Sequence, residues 1–283
     1  MRGIKKLYLC SGEMAEWSIA AVLKTVVQQC TGGSNPSFSA EEKGSEENRF
    51  LFLSYDVKLQ AMGNDNSTIN RYSHSEEKAN AISHIIGAIM SIIVCSVFIQ
   101  KSIQSGNALS IFSLCIYFFG VVSSYVASSV YHSCPLRKEN HRLLFRKFDH
   151  AAIYWHIAGS YTPITLIAMY NHGEIGWAIG VTVFIWICAI LGTILTFRKM
   201  KPHSYFKTAC YVLMGLSILV AIKPLYESVG LKVVLFIVAE GLSYIIGAVF
   251  YSFKKTKYMH SVFHVFVILG DVFHMIAVWN VIN

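Results

Sequence analysis

Seven long apolar runs punctuate the chain, at about 81–99, 108–131, 151–170, 175–197, 205–222, 231–253 and 262–282. Polar and charged residues gather between them rather than alternating within them. A helix needs roughly 20 apolar residues to cross a hydrocarbon core ~30 Å thick, and each run is about that long. The pattern predicts an all-α fold: an integral membrane bundle of seven transmembrane helices. The fifth and sixth runs are the weakest, the sixth because it holds Glu240. Pro163, in Gly159-Ser160-Tyr161-Thr162-Pro163, is expected to kink the third span, a bend that neighbouring helices can satisfy.

Composition agrees: 54% of the 283 residues are hydrophobic and only 14% charged, against about a quarter in soluble domains. The net charge of +8 does not indicate nucleic acid, because the basic residues are dispersed between spans. Segments 133–148, 198–207 and 252–259 hold Arg137, Lys138, Arg142, Arg146, Lys147, Arg198, Lys199, Lys201, Lys207, Lys254, Lys255 and Lys257. The opposite connections hold only Lys101, Lys223 and Lys232. This positive-inside bias places the N-terminus in the cytoplasm and Asn283 outside, in a multi-pass protein of the cell membrane. An even number of spans would break the alternation. Cys95, Cys115, Cys188 and Cys210 fall inside spans, where a thiol acts as a small apolar residue.

Residues 1–61 are polar, patternless and lack the apolar core of a signal peptide. Gly33-Ser34-Asn35-Pro36 can be encoded by the T-arm sequence shared by many tRNA genes, and 15–40 reads like a translated tRNA gene. The expectation is that 1–61 is a spurious or disordered extension and that Met62 is the true start. Residues 62–80 then form a short cytoplasmic segment, and 81–283 the membrane domain.

Ionisable residues at membrane depth are costly, so their positions are informative. Ser128 and His132 close the second span on one helix face, Asp149 opens the third, and His260 and His264 open the seventh. The charge pattern puts all of these ends at the cytoplasmic side. At ~100° per residue, His260, His264, Asp271 and His274 share one stripe that should face the bundle interior. His156 and Asp271 lie about 10 Å deeper than the proposed site and fit an interior polar network. Glu240 is expected to pair within the bundle or with a partner. His84 either lines the same cavity or only packs. His141, His172 and His203 are expected in solvated loops.

Three neutral imidazoles can hold Zn²⁺ and leave a fourth position for water, the layout of a catalytic zinc site. His132, His260 and His264 are the expected ligands. Asp149 would orient or deprotonate the water, and Ser128 would hydrogen-bond it or the reacting carbonyl. The alternative for each histidine is a hydrogen bond to a helix end. The all-imidazole set prefers zinc over iron or manganese.

Several segments resemble the haemolysin III family. They are Glu76-Glu77-Lys78-Ala79-Asn80-Ala81-Ile82-Ser83-His84, Ser128-Ser129-Val130-Tyr131-His132, Asp149-His150-Ala151-Ala152-Ile153-Tyr154, and His260-Ser261-Val262-Phe263-His264 with His274. The resemblance covers about 70–283. That family belongs with the progestin and adipoQ receptors and is grouped with the alkaline ceramidases among membrane metallohydrolases. It implies zinc on His132, His260 and His264, accompanied by Asp149 and Ser128. It also implies three competing functions. One is an intramembrane hydrolase of lipid amides or esters affecting membrane lipid homeostasis. The second is an oligomeric pore-forming cytolysin, and the third a receptor-like sensor. Membrane lipids are the expected partners, and an oligomer is compatible with the sequence. A pore from one chain would need polar stripes through most spans, and the fourth and fifth show almost none.

Overall fold

The computed structural model describes residues 72–135, 139–198, 206–253 and 256–283. The expected extension 1–61 and start at Met62 lie outside them, as do His203 and several basic residues of the connections. The described residues form helices and short connections. Helix α1 (His74–Ser105) starts at a capping box in which Ser73 and Glu76 satisfy each other's backbone N–H groups, and it ends at Gly106 in the left-handed conformation. Helix α2 (Ala108–Ser133) is capped by Asn107, which accepts from Ser110 N at 3.0 Å. Helix α3 (Glu139–Pro163) runs into a π-helical turn (Ile164–Met169) and is followed by α4 (Ile175–Phe197). Then come α5 (Phe206–Leu216), a 3₁₀ turn (Ser217–Ala221), α6 (Ile222–Ser252) and α7 (Met259–Val281).

Five helical segments among the described residues are long and apolar enough to cross a membrane: His74–Ser105, Ala108–Ser133, Ile175–Phe197, Lys207–Ser252 and Met259–Val281. The chain is a multi-pass membrane protein. The segment Lys207–Ser252 has 46 residues, about 69 Å at 1.5 Å per residue, more than twice the hydrocarbon thickness. It joins the fifth and sixth apolar runs. The expected connection between them is helical up to Gly230, whose φ of 70° and ψ of 172° break the helix.

The third run differs from expectation in another way. Helix α3 begins at Glu139, so much of the basic stretch expected between spans is helical. Asp149 therefore lies within α3 and not at its start, and His141, expected in a loop, is an exposed helical residue. The reason is Arg142. It turns inward, is 1% exposed, donates to Cys134 O at 3.0 Å and pairs with Glu77. A buried arginine with acceptors on three sides gives this polar half-helix an inward face that composition alone does not reveal.

At Pro163 the regular helix gives way to the π turn. Thr162 and Thr165 donate to the carbonyls of Ala158 (2.8 Å) and Tyr161 (3.0 Å), so side chains serve carbonyls around the irregular stretch. Helices α2 and α3 meet closely where Gly120 faces Gly159: a Cβ on Gly120 would lie 2.5 Å from Trp155 O. Small residues that let backbones approach drive packing in lipid, where burial of apolar surface does not. The outer face of α1 carries Ile82, Ile86, Ile89 and Ile93, each more than half exposed, a lipid-facing surface.

Candidate metal centre

The helix starts tie the first and last helices together. Glu76, in the first turn of α1, accepts from Ser73 N at 2.9 Å with one oxygen and from Tyr258 N at 2.9 Å with the other. Tyr258 holds φ +63° immediately before α7, a conformation that costs a side-chain-bearing residue of order 1 kcal/mol. Its N–H is given to Glu76 in return. Ser261 then donates to Asn80 Oδ1 at 2.6 Å. Two polar anchors thus fix the start of α7 against α1, and His260 and His264 project from its first two turns.

His132, at the end of α2, meets them. The Nε2 atom of His260 lies 3.0 Å from Nε2 of His132 and 3.1 Å from Nε2 of His264. One ligand atom from each of the three lies within 4.8 Å of the others. Two corners of a tetrahedral zinc site with Zn–N of 2.0–2.1 Å stand about 3.3 Å apart, so the spacing is close to that of a metal shell.

The surroundings fix which nitrogen carries the proton. His132 Nδ1 is 2.6 Å from Glu77 Oε2, and a carboxylate only accepts. His264 Nδ1 lies 3.0 Å from Ser83 Oγ and 3.3 Å from Asn80 O. Ser83 already donates to Asn80 O at 2.9 Å, so both partners of His264 act as acceptors. Each Nδ1 therefore bears the hydrogen, and each Nε2 turns a lone pair toward His260. A proton on His260 Nε2 could serve only one of them. Three converging imidazole nitrogens with two lone pairs already committed to the centre fit a bound cation, and the group could hold a metal ion. The Glu77–His132 contact is the carboxylate–histidine arrangement that orients metal-ligating imidazoles. Glu77 is itself held by Arg142, whose guanidinium lies over the Tyr131 ring at 4.6 Å.

The rings are packed. His132 is 3% exposed and His264 1%. Tyr72 stacks on His260 with ring centroids 5.0 Å apart and planes at 16°. Burial and nearby acidic groups push the Tyr72 phenol well above its ordinary range, so it stays protonated. His84 lies against His264 at 3.7 Å between centroids, and both its ring nitrogens lack partners.

A cavity of about 610 Å³ opens from this centre into the bundle, with His260, His264, Ser128, Asp149 and His84 in its wall. Ser128 and Asp149 stand close to one another in that wall. Of the residues expected from the sequence, His132, His260 and His264 cluster, and His260, His264, Ser128 and Asp149 line one cavity, whose wall does not include His132. Sequence reasoning assigned no role to Glu77, Arg142, Asn80, Ser83 or Tyr72. The signal for Glu77 was present: it is an acidic residue seven positions before His84, on the same helix face.

Further along the same interior, Asp271 accepts from Tyr125 Oη at 2.5 Å and from Tyr244 Oη, and His156 Nε2 lies 3.0 Å from it. Room for both tyrosines comes from glycines. A Cβ on Gly87 would lie 2.3 Å from the Tyr125 ring, and one on Gly270 would lie 2.4 Å from Tyr244. Glu240 pairs with His274, Oε2 to Nδ1 at 2.8 Å. The polar residues of the seventh-span stripe thus do face inward.

Residues 72–275 match the family profile described as haemolysin-III related. Hemolysin-3 of Bacillus cereus is 37% identical over 196 residues, covering 69% of this chain and 87% of that protein. The Hemolysin-3 homolog of Bacillus subtilis (strain 168) is 32% identical over 200 residues, 71% of this chain and 91% of the relative. The human monocyte to macrophage differentiation factor is 28% identical over 210 residues, covering 72% and 84%.

Proposed function

The chain belongs to the haemolysin-III related family, and from that premise we propose that it is an intramembrane zinc hydrolase acting on lipid amides or esters. The observation that carries the proposal is the meeting of three Nε2 atoms beside a cavity whose wall includes His260, His264, Ser128 and Asp149. In this reading the bundle has seven spans, with Lys207–Ser252 supplying two and α3 with its π turn supplying one. The N-terminus is cytoplasmic, Asn283 is outside, and the centre lies near the inner face of the cell membrane.

His132, His260 and His264 would hold the ion. Zinc bound there supplies Lewis-acid polarisation and lowers the pKa of a water toward ~7. Asp149, with Ser128 close by, would accept a proton from the attacking water and return it to the departing amine or alcohol. Ser128 would orient that carboxylate or the reacting carbonyl. Glu77 keeps the hydrogen of His132 on Nδ1, and Ser83 with Asn80 does the same for His264. The cavity wall includes the exposed apolar residues Leu219, Val238 and Leu242. Helices α5 and α6 scarcely touch. A substrate tail can therefore reach the centre sideways from the bilayer.

Lipid profiles of cells carrying the wild type, a deletion, or Asp149→Ala test the reaction. Asp149→Ala should reproduce the deletion. Full restoration of the wild-type profile by Asp149→Ala would remove Asp149 from the chemistry. The name Hemolysin-3 carried by two relatives suggests lysis, and the second reading is an oligomeric pore. Leu114, Val121, Ala277 and Val278 are completely buried in the interior, which disfavours a water path through one copy. Dye release from liposomes that persists after metal removal would favour the pore.

A further inference from the structure

One end of the cavity wall is strongly basic. Arg146 and Lys147 from α3, Arg198 just after α4 and Lys207 at the start of α5 all stand in it. Arg146, Lys147 and Lys207 are half-buried and Arg198 is exposed, so none is closed off from a ligand. Lys207 lies within electrostatic reach of Arg146 and Lys147. His150, in the same wall, is within reach of Lys207, Arg146 and His132. The basic group therefore borders the histidine centre.

Topology alone does not ask for this arrangement. The positive-inside rule is met by basic residues anywhere in the connections, and the exposed Lys78 and Lys257 stand outside the cavity wall. Here three separate segments direct four cations into one wall. Among the described residues that wall holds two carboxyl groups, Asp149 and Glu240. Glu240 pairs with His274, ten residues beyond His264 and about 15 Å deeper along α7. Only Asp149 is left near the cations, and it balances one of them at most.

Along α3 the wall runs from Arg146 through Asp149, three residues or about 4.5 Å further on, to Ile157 and Ile164. Cation, candidate base and apolar surface follow one another as headgroup, carbonyl and tail do in a lipid. A phosphate monoester brings a charge of about −1.5 to −2 and three acceptor oxygens, which arginine and lysine bind through charge-assisted hydrogen bonds. A zwitterionic headgroup adds a cation of its own, and an uncharged one offsets nothing.

We propose that Arg146, Lys147, Arg198 and Lys207 form a headgroup site for a terminal phosphate. The inference rests on the hydrolase reading above and names its substrate class: lipids with a phosphate monoester headgroup and an amide or ester bond close to it.

The test reads binding of ether lipids, which offer no amide or ester bond to cleave. Purified full-length protein is placed in phosphatidylcholine nanodiscs with equal amounts of alkylglycerols bearing phosphate, phosphoglycerol, phosphocholine or no headgroup. Native mass spectrometry counts the lipids retained. The phosphate form should be retained at least about tenfold over the uncharged one, and the preference should persist after zinc is chelated. Lys207→Gln or Arg146→Gln should each lower it about fivefold, the effect of one cation beside an anionic headgroup. Lys78→Gln combined with Lys257→Gln, which removes two charges outside the wall, should leave it unchanged. Equal retention of the phosphate and phosphoglycerol forms, or an equal loss in the Lys78→Gln and Lys257→Gln variant, would reduce the effect to general attraction of anions and overturn the proposal. Loss of the preference on chelation would assign the phosphate to the metal and overturn it as well. Millimolar inorganic phosphate should not displace the lipid; displacement would make this a site for a soluble anion and overturn the substrate class. The headgroup series on the wild type decides the matter even if a variant does not fold. Since turnover is never read, an inactive protein can still show the preference, and an active hydrolase can still lack it.

Discussion

Glu77 Oε2 accepts from His132 Nδ1 at 2.6 Å, joining the first turn of α1 to the last turn of α2. The same carboxylate holds Arg142 with its other oxygen. One residue thereby orients a metal-site imidazole and neutralises a buried guanidinium. Glu77→Gln keeps the shape and removes the charge, and it should weaken zinc affinity about 10- to 100-fold. Competition with a fluorescent chelator measures this. An unchanged affinity would show that Glu77 serves only Arg142.

Arg142 should behave asymmetrically. Arg142→Met leaves Glu77 buried beside His132 without its cation and should cost about 3–5 kcal/mol. Adding Glu77→Gln to Arg142→Met removes the orphaned charge and should recover part of the loss. Thermal unfolding of the two variants in detergent compares them. A double variant less stable than Arg142→Met alone would contradict this account of the pair.

Gly87 makes space for Tyr125, the donor to Asp271. Gly87→Ala places a methyl group within the ring's envelope and should cost about 1–3 kcal/mol through overpacking. Tyr125→Ala in the same chain removes the clash, so the two costs should fall short of additive. Strict additivity would show that the ring already has room to move.

Topology follows from charge. A reporter fused after His172 should be active only outside the cell, and one fused after His203 only inside. The same side for both would remove the seven-span arrangement.

Much of this architecture is legible in the sequence because lipid imposes strong rules on composition. Runs such as 108–131 and 175–197 carry almost no charge, and their helices form within a few residues of the expected bounds. The clustering of His132, His260 and His264 is legible for the same reason, since polar groups at span ends stand out. Arg142 was not: a basic residue in a basic stretch reads as solvated, and only its acceptors on α1 and α2 make burial tolerable. Glu77 left a signal, its place on the His84 face of α1, but its partners His132 and Arg142 become visible only once the helices are packed. The helical course of the connection between the fifth and sixth runs escapes the reading because the backbone goes through a 3₁₀ turn and on into α6 as far as the break at Gly230. The pairing of Glu240 with His274 required knowing which face of α6 meets α7.

The central claim is that three imidazoles share one metal ion, and metal content tests it most directly. Protein purified without chelators at neutral pH should carry close to one equivalent of zinc. His264→Ala should lose most of it, and acidification through the ordinary imidazole range near pH 6.5 should release it from the wild type, because protons compete for the same lone pairs. Wild-type protein that stays metal-free when zinc is supplied, or a His264→Ala variant that retains a full equivalent, would contradict the account.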